Sequence, residues 1–265
     1  REFWSNGIHL NTIEAANNPA KESWDNINAI NDFVLAVLTT QSKLTVSAVW
    51  GGCGAGGAMA ILAADKVWAR AGVVFNPHYK LMGLYGSEYW TYSLPKRIGP
   101  QKALELTQNA LPLGTRKAKS LGYIDEILSD DYEVFLAQVM ENAEALAASP
   151  QYATRLAEKL KIREHDQMAK PLAAYRLAEL KRMKANFSGK KVPGEVDYHQ
   201  ARYNFVHKIK PKITSPCCQA IQATYATLNR EGLRLLPSSS GGTFEQVDVP
   251  YALRSSSEER STRSP

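Results

Sequence analysis

Apolar positions fall into two regimes along this chain. From Pro19, residues Trp24, Ile27, Ile30, Val34, Val37 and Leu38 recur at helical spacing with Asn, Asp and Lys between them. Pro19 at the front suits a first-turn position. Residues 44–50 read as a buried strand, broken by the run Gly51-Gly52-Cys53-Gly54-Ala55-Gly56-Gly57. Residues 58–65 continue as a small-residue helix packed closely against a neighbour. Short strands at 67–69 and 73–75 flank Gly72, and Asn76-Pro77-His78-Tyr79 stops the second. Residues 87–99 predict an aromatic-rich helix ending near Pro95. Helices at 101–108 and 115–121 follow, then a strand at 123–128. Strand, helix and strand alternate up to about residue 130, which predicts an α/β layered domain.

Beyond Asp131 the pattern turns to nearly continuous helix. Phe135, Leu136, Val139, Met140, Ala143 and Leu146 make one apolar stripe, Pro150 interrupts, and residues 171–187 carry another through Leu172, Tyr175, Leu180, Met183 and Phe187. Lys159, Lys161, Arg163, Lys181, Arg182, Lys184, Lys190 and Lys191 cluster in this region and read as a solvated helix face. From Pro237 a Ser- and Gly-rich low-complexity stretch predicts a disordered tail. No internal repeat is visible. The predicted divisions are an α/β core over 1–130, a helical extension over 131–212 and a divergent segment with its tail over 213–265.

Composition narrows the classes. At 265 residues, 44% hydrophobic and 22% charged, the chain can bury one sizeable core, or one core with an appended lobe. No apolar run reaches the roughly 18–20 residues of a membrane span. Cys53, Cys217 and Cys218 give neither a disulfide framework nor a spaced metal-ligand set. The expectation is a soluble, cytoplasmic, metal-free protein. A net charge of +6 permits an anionic partner, but no nucleic-acid module accompanies it. The opening Arg1-Glu2-Phe3 shows neither an initiator Met nor a leader, so the chain reads as a fragment.

The strand–glycine–helix unit at 44–65 is the most informative segment. Gly52-Cys53-Gly54-Ala55-Gly56-Gly57 formally matches the dinucleotide fingerprint G-x-G-x-x-G. The acidic residue expected about 20 positions on is missing, because residues 66–87 contain no Asp or Glu. The competing reading rests on backbone chemistry. A glycine loop that opens a helix exposes peptide N–H groups able to hold an oxygen that becomes anionic. The loop Phe3-Trp4-Ser5-Asn6-Gly7-Ile8-His9-Leu10 offers a second donor.

Taken together, Phe3-x-x-x-Gly7-Ile8-His9-Leu10 and Gly51-x-x-x-Ala55-Gly56-Gly57 through Asp65 resemble the two halves of the crotonase (enoyl-CoA hydratase/isomerase) oxyanion hole. Downstream, Phe75-Asn76-Pro77, Gly83, Leu94-Pro95-x-x-Ile98-Gly99 and Ala118-x-x-Leu121-Gly122-Tyr123-Ile124-Asp125 follow that family in order. The resemblance implies a ββα spiral fold, lacking its first strands here, and a coenzyme A thioester as ligand. Its carbonyl would be held by the N–H groups of Ile8 and Gly56. Met59 and Tyr79 stand where hydratases carry two glutamates, which disfavours double-bond hydration because Met59 cannot transfer a proton.

The spelling around Leu84-Tyr85-Gly86-Ser87-Glu88-Tyr89-Trp90 narrows the resemblance, as do Tyr175-Arg176-x-x-Glu179-Leu180-x-x-Met183 and Tyr198-His199-x-Ala201-Arg202. These stretches are similar to one branch, the C-terminal domain of hydrogenase maturation factors that form carbon monoxide. That branch implies release of CO from formyl-CoA, with the formyl group supplied from formyl-tetrahydrofolate by an N-terminal domain absent here. It also implies the hydrogenase maturation machinery as partner. Two alternatives stay open: a generic enoyl-CoA hydratase/isomerase, or a non-catalytic acyl-CoA-binding remnant, the parent protein being the active form.

By the same carry-over, Glu88 and Tyr79 are the candidate catalytic pair. Gly7, His9, Gly57, Pro77, His78, Tyr85 and Ser87 are candidate substrate contacts. Glu88 reads equally as a helix N-terminal residue complementing the dipole, and Tyr79 equally as core packing. Lys66, Arg70, Lys80 and Lys96 are candidate contacts for coenzyme A phosphates. Cys53 reads as a small buried side chain rather than a nucleophile.

Overall fold

The computed structural model describes residues 3–189 and 195–209. The expected tail, Cys217, Cys218, Lys190 and Lys191 lie outside them. Chain contacts define two units, Arg1–His207 and Lys208–Pro265, and every element below belongs to the first.

The chain opens with β1 (Phe3–Ser5) and α1 (Leu10–Ala15), where periodicity predicted only a loop. Three residues of strand are too few to show alternation, and β1 is defined by pairing with a distant segment. Helix α2 (Pro19–Leu38) starts at the predicted proline, with Asn18 capping it by accepting the Lys21 N–H. Then come β2 (Val46–Val49), β3 (Gly52–Gly54), α3 (Gly56–Ala60) with a 3-10 turn over Ile61–Ala63, β4 (Lys66–Arg70) and β5 (Val74–Asn76). Part of the glycine run is therefore itself a strand. A second 3-10 turn (Tyr79–Met82) leads to α4 (Trp90–Ile98), α5 (Pro100–Asn109), β6 (Leu113–Gly114), α6 (Thr115–Leu121) and β7 (Glu126–Leu128).

Helix α4 starts three residues later than predicted and runs through Pro95. Glu88 and Tyr89 both have positive φ, at 60° and 56°, so no helix can include them. The strand expected from 123 begins at Glu126, because Tyr123 and Ile124 still complete the turn out of α6 by donating to Ala118 O.

Two small sheets result, ordered β1-β3-β5-β6 and β2-β4-β7. All pairs are parallel except β5 with β6. The registers Phe3↔Gly52 and Cys53↔Phe75 place β3 between β1 and β5. Parallel strands end on the same edge, so the loops after β1, β3 and β5 converge there, where α/β sheets hold their ligands. Between the sheets lies a core that includes Val49, Met59, Ile61, Val67, Phe75 and Leu94. Cys53 is buried in it, and burial pushes its thiol well above the usual range, as suits an inert packing residue.

Four helices complete the unit: α7 (Tyr132–Ala148), α8 (Tyr152–Ala169), α9 (Leu172–Phe187) and α10 (Tyr198–Val206). Pro150 falls between α7 and α8. Leu180, Met183, Phe187 and Tyr198 pack with Ile8, Ile13 and Ile27, so the extension covers the loop after β1. Within the basic cluster, Lys161, Lys181, Arg182 and Lys184 are exposed. Lys159 instead pairs with Asp65 at 2.7 Å, and Arg163 donates to the Tyr92 hydroxyl.

Candidate active site

Three parallel strands deliver the candidate residues to one edge. The loop after β1 brings Gly7 against Gly56, so close that a Cβ on Gly7 would sit 2.9 Å from the Gly56 nitrogen. The two backbone segments singled out as an oxyanion hole are therefore adjacent. A Cβ on Gly57 would overlap the carbonyl of Ser5.

Gly56 has a second neighbour. A Cβ there would overlap the Glu88 carboxylate, 2.7 Å from its Cδ, so Glu88 Oε1 rests on the bare α-carbon. The other oxygen, Oε2, accepts the Tyr79 hydroxyl at 2.7 Å and the Ser87 N–H at 2.9 Å. Glu88 is 1% exposed. Burial pushes its carboxyl up to about 7, the charge of Glu179 adds to the rise, and the two hydrogen bonds oppose it. Burial, reinforced by the Glu88 charge, holds the Tyr79 phenol far above its usual range, so it stays a donor. A Cβ on Gly86 would sit 2.5 Å from Tyr79 Cε2, so that glycine makes room for the ring.

Glu88 and Tyr89 sit in the left-handed region, which costs on the order of 1 kcal/mol or more per non-glycine residue. Two side chains from other helices hold the turn. Asn31 of α2 accepts the Glu88 N–H at 2.8 Å and exchanges hydrogen bonds with Ser87 Oγ. Glu179 of α9 accepts the Tyr89 N–H at 3.0 Å and the Thr91 N–H at 2.9 Å. Neither was expected: Asn31 reads as one more polar position of an amphipathic helix, and Glu179 entered only within a motif. The legible signal was a charged residue on an apolar helical stripe.

Other candidates take different places. His9 is exposed and caps α1, its Nδ1 accepting the Thr12 N–H at 3.2 Å. His78 is half-buried, with Nδ1 at 2.9 Å from Asn76 O, and burial lowers its basicity. Pro77 is buried, and the Tyr85 ring meets Trp90 at a tilt, centroids 5.4 Å apart, under the Arg182 guanidinium. Of the candidate phosphate contacts, Lys66 pairs with Asp125 and Lys96 with Asp166, while Arg70 donates to Trp50 O. Lys80 is exposed and meets the neutral Gln108 amide. Among the described residues, Asn76 Oδ1 and Trp90 Nε1 are buried polar atoms without partners. No group of three or more metal-ligating side chains occurs among them, and none of their helices is long and apolar enough to cross a membrane.

Converging loops at the ends of parallel strands, glycine amides and a buried carboxylate meet at one edge of a crotonase fold, and the chain belongs to the enoyl-CoA hydratase/isomerase family, whose model matches residues 2–216. Within that family it is 48% identical over 216 residues to the hydrogenase maturation factor HoxX of Bradyrhizobium diazoefficiens, covering 81% of this chain and 37% of that protein. It also resembles the crystal structure of HypX from Aquifex aeolicus in complex with tetrahydrofolic acid. There the TM-score is 0.75 at 43% identity, over 82% of this chain and 38% of that one. The chain thus spans under two-fifths of the length of these relatives. An enoyl-CoA hydratase from Bacillus halodurans shares the fold, with a TM-score of 0.62 at 20% identity over 77% of each chain.

Proposed function

We propose that this chain is the acyl-CoA-handling part of a hydrogenase maturation factor and releases carbon monoxide from formyl-CoA. One observation carries the reading: Glu88 Oε1 rests on Gly56 Cα beside the candidate oxyanion amides, while Tyr79 and Ser87 bind Oε2. A carboxyl whose midpoint lies near neutrality, touching the carbonyl-binding segment, is placed for proton transfer at a bound acyl carbon.

In this reading the N–H groups of Ile8 and Gly56 polarise the formyl oxygen. Glu88, ionised, takes the formyl proton as the carbon–sulfur bond breaks. The carbon leaves as CO, and the same proton passes to the departing thiolate to give coenzyme A. Atoms and charge balance without an oxidant. Tyr79 orients the carboxylate through Oε2. Gly7, Gly57, Pro77, His78, Tyr85 and Ser87 surround the thioester, and His9 fixes the loop after β1 through its cap. Met59 has no proton to transfer, which disfavours two-carboxylate hydration at this edge. Tetrahydrofolate enters only through the remainder of the full-length protein, which would load the formyl group onto coenzyme A in the cytoplasm.

The test uses the full-length parent protein with formyl-tetrahydrofolate and coenzyme A. CO is assayed by its capture on reduced haem. Wild type should form CO, whereas Glu88→Gln should accumulate formyl-CoA with CO down at least about a hundredfold. Absence of CO from wild type sinks the reading. Coenzyme A binding by titration calorimetry without any CO would instead favour a non-catalytic acyl-CoA binder.

A further inference from the structure

The segment 85–91 is unusual in where its backbone donors go. The Tyr85 N–H is received by Asn186 Oδ1 at 3.0 Å and the Gly86 N–H by Met183 Sδ at 3.2 Å. The Glu88 N–H goes to Asn31, and those of Tyr89 and Thr91 both go to Glu179. Only Trp90 donates to backbone within the segment, to Ser87 O. Four of these donors therefore end on one face of α9, where Glu179, Met183 and Asn186 recur at helical spacing. The shape of the turn is set by side chains of α9 and α2 rather than by a ladder.

Glu179 is the centre of that face. It is fully buried, yet among the described residues no Lys or Arg forms an ion pair with it. Its four partners are the Tyr89 N–H, the N–H and hydroxyl of Thr91, and the Ser87 hydroxyl, whose single proton it shares with Asn31 Oδ1. Two of these partners are backbone N–H groups, which can only donate and so favour the carboxylate form. Donors at the first turn of α4 stabilise its ionised form. Burial holds its carboxyl above the usual carboxylate range, and the donors offset that only in part.

We propose that Glu179 is a positioning residue for Glu88: from α9 it holds the left-handed turn that presses the Glu88 carboxyl onto Gly56, and in its ionised form it sets a negative charge behind that carboxyl. The inference rests on the reading of Glu88 as the proton-transfer group. The groups facing Glu88 are few. The turn after β5 presents the Tyr79 phenol, α9 presents Glu179, α2 presents the neutral Asn31, and α3 presents only glycine and apolar side chains. Asp32 and Arg176 pair with each other further out. Glu179 is thus the only full charge acting on Glu88 among the described residues, and its sign disfavours Glu88 ionisation.

The experiment is an infrared titration of the Glu88 carboxyl in the full chain without substrate, isolated by subtracting the Glu88→Gln spectrum. Glu179→Gln removes the charge and sets an amide N–H against existing donors. The Glu88 midpoint should fall by about one pH unit towards the ordinary carboxylate value. Glu179→Asp keeps the charge one methylene further back, should shift the midpoint less in the same direction, and serves where Glu179→Gln does not fold. Lys159→Met, which removes the ion pair with Asp65, tests stability alone and should leave the midpoint in place. A Glu88 midpoint unmoved in either folded Glu179 variant overturns the proposal. The titration needs no turnover, so failure to form CO with the midpoint shift intact condemns the decarbonylation reading and not this one.

Discussion

At the scale of single residues, the proposed role of Glu88 ties chemistry to stability. Its folded midpoint of about 7 lies above the ordinary 4.5. Between these values the folded chain holds a proton that the unfolded chain has released. Stability from this group is therefore full below pH 4.5 and is lost as pH rises through 7. The gap corresponds to about 3 kcal/mol at 1.36 kcal/mol per unit. Urea unfolding of wild type between pH 4.5 and 8 should show that loss relative to Glu88→Gln, whose neutral amide cannot titrate. Parallel pH dependences would refute it. Gly56 makes the complementary prediction. A methyl there would sit 2.7 Å from Glu88 Cδ, far inside carbon–carbon contact distance, so the carboxyl must move. Gly56→Ala should lower CO release by at least about tenfold, because displacement of a catalytic group by 1 Å costs that much or more. The melting temperature of the variant is the control.

At the scale of elements, periodicity was legible in the long amphipathic helices α2 and α9; for α7 it found the helix but not its whole buried face, because Leu136 and Met140 of the predicted stripe are exposed. It failed for β1 and β3. A strand of three residues carries no pattern of its own, and the glycines of β3 are there for close approach rather than for β-propensity. The Glu88 turn was equally invisible, because its positive φ values are imposed by Asn31 and Glu179, 57 and 91 residues away in sequence. Glu88 and Tyr79 could be singled out only through the family resemblance, by the positions they occupy in its pattern. Their 2.7 Å contact could not, because it exists only once the loop after β5 folds back on α4.

The seam between β4, α4 and β7 gives the prediction at this scale. Asp125 accepts the Val67 N–H at 2.7 Å and Arg97 Nη1 at 3.0 Å, and lies 3.3 Å from Lys66 Nζ. Burial raises its carboxyl, but Arg97, the Val67 N–H and Lys66 outweigh that, and it ends below its usual range. Asp125→Ala strands a partly buried guanidinium and a backbone donor, which should cost about 2–3 kcal/mol. A lower urea midpoint at unchanged slope is the expected result.

For the whole molecule, the question is whether the α/β core stands without the helices that follow it. Composition suggested a core with an appended lobe, but the contacts join the two. Leu180, Met183, Phe187 and Tyr198 share a cluster with Ile8, Ile13 and Ile27 from the first part of the chain. Arg202 of α10 donates to Glu14 of α1 at 2.7 Å, and both Asn186 and Glu179 hold the Glu88 turn. A chain ended at residue 170 would expose that apolar cluster and leave the N–H groups of Tyr85, Gly86, Tyr89 and Thr91 without acceptors. Each stranded donor costs about 1–3 kcal/mol where it stays buried. Such a sum rivals the 5–15 kcal/mol that stabilises a typical domain. A chain ended at residue 207 keeps every contact named here, because the compact unit closes at His207. The shorter chain should lose its cooperative melting transition and its coenzyme A binding together, while the longer one retains both. Calorimetry on the two truncations decides between them, and a cooperative transition at residue 170 would mean that the sheets and their first helices fold without α9.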